Sequence, residues 1–266
     1  MVAIKNLVFI ASLFFAGPCF SKYVSMSPSI TESLYAVGLG KEVVGVSQYC
    51  QFPPEVQKIT RVGTPFTPNL EKLVSLSPKI IFTQGLRDRV FEKKISALKL
   101  KAISLKFDSY RDILKSLDYL TKLSTSSNGL QAIKKIKKQE SKLRKLNLTG
   151  SAIVVIEVKT KVGRLTELMV AGAQTYLGEI VGFSGLKVAQ MSKPYFYYSL
   201  ESFLLTPPRF VYLIRQGSKE KKIVEDFIAN TKLKNIQVIS LDKEYANIPG
   251  PRISNLMGDI YRVHRN

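Results

Sequence analysis

Residues 69–83, NLEKLVSLSPKIIFT, and residues 199–214, SLESFLLTPPRFVYLI, spell one unit twice. Leu70 corresponds to Leu200, Glu71 to Glu201 and Pro78 to Pro208, with glutamate and proline seven residues apart in both copies. Each copy reads as a short capped helix, a proline-marked turn and an apolar strand. A helix-to-strand unit present once in each half implies two similar lobes, each with its own sheet.

Outward from these units, short apolar runs alternate with helical patterns, which predicts an α/β protein with largely parallel sheets. In the first half strands are expected near 23–25, 43–47, 79–83 and 101–105, and helices near 28–37, 69–76, 88–98 and 109–124. Ser27 and Pro28 supply an N-cap and a first-turn proline, Gly38 and Gly40 close that helix, and Asn69 caps the next. In the second half strands are expected near 152–158, 187–189, 209–214 and 236–241, and helices near 173–182, 199–205, 219–230 and 251–262.

Between the halves, SSNGLQAIKKIKKQESKLRKLNL (126–148) has no turn signal after Gly129 and keeps Leu130, Ile133, Ile136, Leu143 and Leu146 on roughly one helical face. It predicts one continuous helix over 127–147, about 30 Å long at 1.5 Å per residue, enough to cross from lobe to lobe. Its lysines form the opposite face and read as a solvated surface. The expected organisation is therefore a first lobe at 22–126, a connecting helix at 127–147 and a second lobe at 148–266.

Residues 1–21 differ from the rest: Lys5, the apolar run LVFIASLFFA, then Gly17-Pro18 with Cys19 and Ser21 beyond. That is the layout of a cleavable secretory signal peptide. Pro18 directly before Cys19 argues against a lipidated cysteine. Cleavage after Ser21 leaves Cys50 as the only cysteine, so no internal disulfide forms and stability rests on packing. An unlipidated exported protein stays near its cell where a second membrane retains it, which favours a periplasm. The 40 Lys+Arg against 20 Asp+Glu give a formal charge of +20. These cations are scattered, without a helix-turn-helix, zinc-finger or RNP signature, and export removes the chain from nucleic acid. A generally basic surface and an attraction to anionic membranes or an anionic ligand both remain as readings.

The ordered set SPSITESLYAVGLGKEVVGVS (27–47), QFPPEVQKITRVGTPFTPNLEKLVSLSPKIIFT (51–83), the lone central helix and PGPRISNLMGDI (249–260) resembles the binding proteins for vitamin B12, ferric siderophores and haem that serve ABC importers. The similarity is strongest from Ser27 to Thr83. It implies two Rossmann-like lobes joined by a single long α-helix, with the ligand, a corrinoid or ferric chelate, held between them and not covalently attached. It also implies modest lobe movement on binding, a permease dimer as partner, and a monomer.

In open α/β sheets, loops at the carboxyl ends of parallel strands build such clefts. That places Ser27 and Pro28, the loop with Tyr49, Cys50 and Phe52, and the loop with Pro65 and Phe66 toward the ligand from the first lobe, and the segment Lys193–Tyr198 from the second. Tyrosine and phenylalanine give broad, rigid surfaces against a flat macrocycle. Tyr195 and Tyr197 are the ligand-facing candidates; Phe196 and Tyr198 also suit core packing. The resemblance matches Tyr49 to a ligand-contacting tyrosine of the family, whereas the family's tryptophan positions fall at Pro65 or Phe66 and at Tyr195, because the chain has no Trp. It further implies that Glu71 and Glu201, one per lobe, meet arginines on the permease. A glutamate in a first helical turn otherwise simply complements the helix dipole.

His264 is the only histidine, which disfavours a bare metal site, and no HExxH, nucleophile elbow or P-loop supports an enzyme. Cys50 reads as a small buried hydrophobe, and Arg252 as structural. Arg87 and Lys193 are basic side chains placed to meet an anionic siderophore or haem propionates. The choice among cobalamin, ferric siderophore and haem stays open, as does a non-transport sensor or adhesion module of the same fold.

Overall fold

The computed structural model describes residues 21–85 and 89–265. The proposed export segment lies outside them except for Ser21, and so does Arg87.

The first half builds β1 (Tyr23–Ser25), α1 (Pro28–Ala36), β2 (Val43–Val46), β3 (Thr60–Arg61), α2 (Leu70–Leu76), β4 (Ile80–Gln84), α3 (Arg89–Ala97), β5 (Ala102–Leu105) and α4 (Tyr110–Leu123). Its five strands order as β3-β2-β1-β4-β5, every pair parallel. After the bridging α5 (Asn128–Arg144), the second half adds β6 (Ser151–Lys161), β7 (Arg164–Ala171), α6 (Tyr176–Gly182), β8 (Lys187–Val188), β9 (Tyr195–Ser199), α7 (Leu200–Leu205), β10 (Phe210–Ile214), α8 (Ser218–Ala229), β11 (Gln237–Leu241) and α9 (Ile253–Arg265). Its sheet orders as β11-β10-β6-β7-β9, with β8 beside β6.

The doubled unit folds as read. Asn69 Oδ1 accepts from Lys72 N–H at 2.9 Å to cap α2, and Ser199 Oγ accepts from Ser202 N–H at 3.0 Å to cap α7. Each helix then feeds a buried strand, β4 or β10. The second sheet is mixed within the largely parallel architecture expected: β6 and β7 form an antiparallel hairpin, and β9 pairs antiparallel with β7. Val162 (φ 50°) and Gly163 (φ 73°) make its turn, both left-handed, a geometry whose twist suits a hairpin.

The bridge is shorter than predicted, 17 residues or about 25 Å. It is not free-standing, because α5 packs against α4 on one side and α9 on the other. Ile136 and Leu143 are buried as expected, but Leu130 is exposed and Gly129 is buried in its place. A Cβ on Gly129 would collide with the Thr121 side chain, so α4 passes where only glycine fits. The inner hydrophobic core is continuous through both halves, running from Ile30, Phe82 and Leu117 through Leu143 to Ile180, Tyr212 and Ile260. Separate outer cores cover the far faces of the two sheets.

One charged group ties the chain's end to its beginning. Arg252, just ahead of α9, donates from Nε to Glu32 Oε2 at 2.8 Å and from Nη2 to Glu32 Oε1 at 2.5 Å, gripping the buried carboxylate of α1 with both arms. Its Nη1 reaches Glu244 at 2.8 Å and its plane lies 4.0 Å from the Phe52 ring. Burial pushes the Glu32 carboxyl up, against the opposing pull of Arg252. Arg252→Ala leaves that carboxylate buried and alone, with an expected loss of about 3–5 kcal/mol in urea denaturation at pH 8. Because the folded variant holds the Glu32 proton to higher pH than the unfolded chain, part of the loss should return as pH falls toward the ordinary carboxylate range. Arg262→Ala removes an exposed guanidinium from Asp259, which keeps its hydrogen bond from the Tyr245 hydroxyl, and should cost less than about 1 kcal/mol.

Candidate ligand-binding cleft

Both sheets reverse their strand order at a point facing the same crevice. In the first, β1 lies between β2 and β4, so the connections leave it in opposite directions. Ser27, directly beyond β1, caps α1 by accepting from Ile30 N–H at 3.3 Å, and its hydroxyl donates to Gln84 Oε1 at the end of β4 (2.8 Å). In the second, β6 lies between β7 and β10, and Gln216 Nε2 spans the gap to Ile156 O at 2.9 Å.

Two adjoining cavities fill the crevice. The first, about 560 Å³, takes Gln84, Phe107 and Asp108 from one lobe and Tyr176, Tyr195 and Arg215 from the other. The second, about 540 Å³, is walled by Pro28, Ser29, Gln48 and Tyr49 opposite Arg215 and Asn247. Arg215, Asn247 and Pro249 belong to both, so the two make one cleft.

Tyr49 is 56% exposed on the second cavity. Its loop is fixed from below: Arg61 Nη1 donates to Ser47 O at 3.1 Å and to Cys50 O at 2.5 Å. The Cys50 thiol is buried and accepts from Thr31 Oγ1 at 3.1 Å, and burial pushes its pKa up. Tyr195 opens β9 and is 42% exposed on the first cavity. Burial pushes its phenol up too, with a smaller contribution from the charge of Asp108. The strand's alternation sends Phe196 and Tyr198 into the outer core of the second lobe.

Other candidates lie elsewhere. Tyr197 lines neither cavity; its hydroxyl accepts from Lys159 Nζ at 2.6 Å, with the ammonium 3.9 Å from its ring centroid. The loop of Pro65 and Phe66 closes on itself through Thr64 and Thr67 and a Gly63–Pro68 bridge, which holds Phe66 out at 87% exposure, away from both cavities. Lys193 lines neither cavity. Pro28 walls the second, and Ser27 stands behind the first, positioning Gln84. Glu71 and Glu201 occupy the first turns of α2 and α7 and are exposed. Sequence reading missed Gln84, Asp108, Arg215 and Asn247. The first two and Arg215 were within reach, since they end or closely follow the apolar runs read as β4, β5 and β10.

Among the described residues, no group of three or more His, Cys, Asp or Glu side chains converges on a point that could hold a metal. His264 packs edge-on against Phe210 and shares a hydrogen bond with the Tyr212 hydroxyl at 2.5 Å.

Two sheets with facing switch points, one bridging helix and an aromatic-walled crevice define a two-lobed ligand-binding protein. The model of the periplasmic binding protein family matches residues 24–245, and the chain belongs to that family. It is 26% identical over 259 residues to a vitamin B12-binding protein of Photorhabdus laumondii, covering 95% of this chain and 91% of that one. To an uncharacterized ABC transporter substrate-binding lipoprotein of Bacillus subtilis it is 24% identical over 241 residues (87% and 76%). Its fold matches the crystal structure of the periplasmic vitamin B12-binding protein of Vibrio cholerae with a TM-score of 0.74 at 21% identity, covering 92% of this chain and 98% of that one.

The Tyr49 loop offers a direct check on this geometry. Arg61→Ala removes two charge-assisted hydrogen bonds and should cost about 1.5–3 kcal/mol. It should also raise the rate at which Cys50 reacts with a thiol reagent by roughly tenfold, as local opening exposes the sulfur. Wild-type Cys50 should stay unreactive until the chain unfolds.

Proposed function

We propose that the chain is exported to a periplasm through a cleavable N-terminal signal, binds a preformed metal chelate in the cleft as a monomer, and delivers it to the permease dimer of an ABC importer. The observation that carries this is the pair Tyr49 and Tyr195, presented on one continuous cleft from opposite lobes. Two partly exposed phenols facing a shared opening suit a ligand with broad flat or aromatic faces. Membership of the periplasmic binding protein family and the named ABC-transporter relative support delivery, in preference to a sensor or adhesion role. The relative from Photorhabdus laumondii makes a corrinoid the first ligand to test.

Chemistry favours a corrinoid over haem. Among the described residues no His or Met lines either cavity. A chelate whose coordination sphere is already complete asks nothing of these side chains but contact.

Glu71 and Glu201 stand at matching points of the two lobes, and we assign them to permease docking. Paired charges far apart on a rigid body orient the encounter more than they tighten it. Titration of the mature protein with cyanocobalamin, haemin and ferric siderophores, read by tyrosine fluorescence, should give saturable binding to at least one. Tyr49→Ala and Tyr195→Ala should each weaken it by roughly 0.5–1.5 kcal/mol. Binding to none would overturn the reading. Charge reversal at Glu71 and Glu201 together should leave ligand affinity in place and depress cellular uptake, and unchanged uptake would exclude docking through these residues.

A further inference from the structure

The doubled unit carries one difference that matters. Fourteen residues beyond Glu71 stands Gly85, and fourteen beyond Glu201 stands Arg215. The two have the same backbone: φ is 60° at Gly85 and 56° at Arg215. They make the same hydrogen bond, Gly85 N–H to Leu105 O at 3.3 Å and Arg215 N–H to Leu241 O at 3.2 Å, each onto the last residue of the neighbouring parallel strand. A left-handed residue at this strand end favours glycine, because a Cβ crowds the backbone there. The first lobe has glycine; the second has the longest cationic side chain in its place. In the first lobe a Cβ built on Gly85 meets no described atom within 4 Å.

Arg215 is exposed and lines both cavities, and among the described residues it is the only cation lining either. Its side chain bonds a neutral group, Asn247 Oδ1 at 3.4 Å. Asp108, the one carboxylate among the described lining residues, borders the first cavity alone, so among the described residues Arg215 lines the second cavity with Tyr49 and without a carboxylate.

We infer that Arg215 is the specificity-determining residue of the cleft and selects chelates that present an anionic group, a carboxylate, a phosphodiester or the charge of the chelate itself, at the junction of the two cavities. This deepens the chelate-binding reading and rests on it.

The experiment compares wild type, Arg215→Gly, Arg215→Lys and Lys193→Gln by calorimetry at two salt concentrations. The probes are cyanocobalamin, haemin, an anionic ferric tris-catecholate and a neutral ferric trihydroxamate. Arg215→Gly should melt at or above the wild-type temperature, since it adopts the first lobe's solution to the same backbone. It should bind the anionic-group probes about tenfold more weakly or worse, with a flattened salt dependence, while Arg215→Lys recovers much of both and Lys193→Gln matches wild type. Which probe suffers most identifies the source of the anion. Unchanged affinity and salt dependence in Arg215→Gly overturn the inference. So does a wild type that binds only the neutral trihydroxamate, though chelate binding then stands. A wild type that binds no probe overturns the chelate reading and this inference with it. Should glycine loosen the strand end, Arg215→Gln, uncharged but of similar reach, should show the same weakened binding, and full affinity in that variant would equally overturn the inference.

Discussion

The two-armed hydrogen bonding between Arg252 and Glu32 sets the geometry on which the cleft depends. It joins α1, whose first residues Pro28 and Ser29 form part of one wall, to the segment that runs from Asn247 and Pro249 on the other wall into α9. A buried carboxylate without that guanidinium would carry a desolvation penalty that nothing nearby offsets, so the separation of these two segments is specified. The Phe52 ring against the guanidinium plane extends the constraint to the loop that bears Tyr49. One arginine thus registers α1, the Phe52 loop and the segment ahead of α9, each of which continues into residues that line the cleft.

Much of this was legible from local chemistry. Caps at Ser27 and Asn69, the turn prolines and the apolar runs mark four strands of the parallel first sheet, because such signals act over a few residues, whereas the two-residue edge strand β3 carries none. The hairpin of β6 and β7 was not read. Its turn is Val162-Gly163, without the Asn-Gly or Asp-Gly signal that marks such turns, and β7 mixes Arg164 and Glu167 with buried Leu165 and Leu168. For the same reason Tyr195–Ser199 is not among the expected strands: β9 is a strand because β7 is there to pair with it. The burial of Gly129 in place of Leu130 depends on where α4 crosses, a tertiary fact that helical periodicity does not contain.

The site was legible in part, and unevenly. Tyr49 and Tyr195, aromatic residues near strand ends, both line the cleft. Phe66 shared that signal and was misplaced, since a six-residue turn that bonds to itself holds its tip away from the cleft. Arg215 was missed because composition alone does not distinguish one arginine among a large excess of cations. Its meaning emerges from comparing the two halves at equal backbone conformation, where a glycine and an arginine answer the same steric demand.

The unbroken inner core has a mechanical corollary. A wide swing of the lobes would have to part packed side chains around Leu143 and Tyr212, and exposing about 400 Å² of apolar surface costs about 10 kcal/mol. The molecule therefore behaves more like a fixed-jaw caliper than a trap. With the lobes so held, Glu71 and Glu201 would keep nearly one spacing whether the proposed cargo is absent or bound, and a receptor that gauged only that span would be blind to it. Occupancy has to be sensed at the mouth itself, where the bound molecule completes the surface.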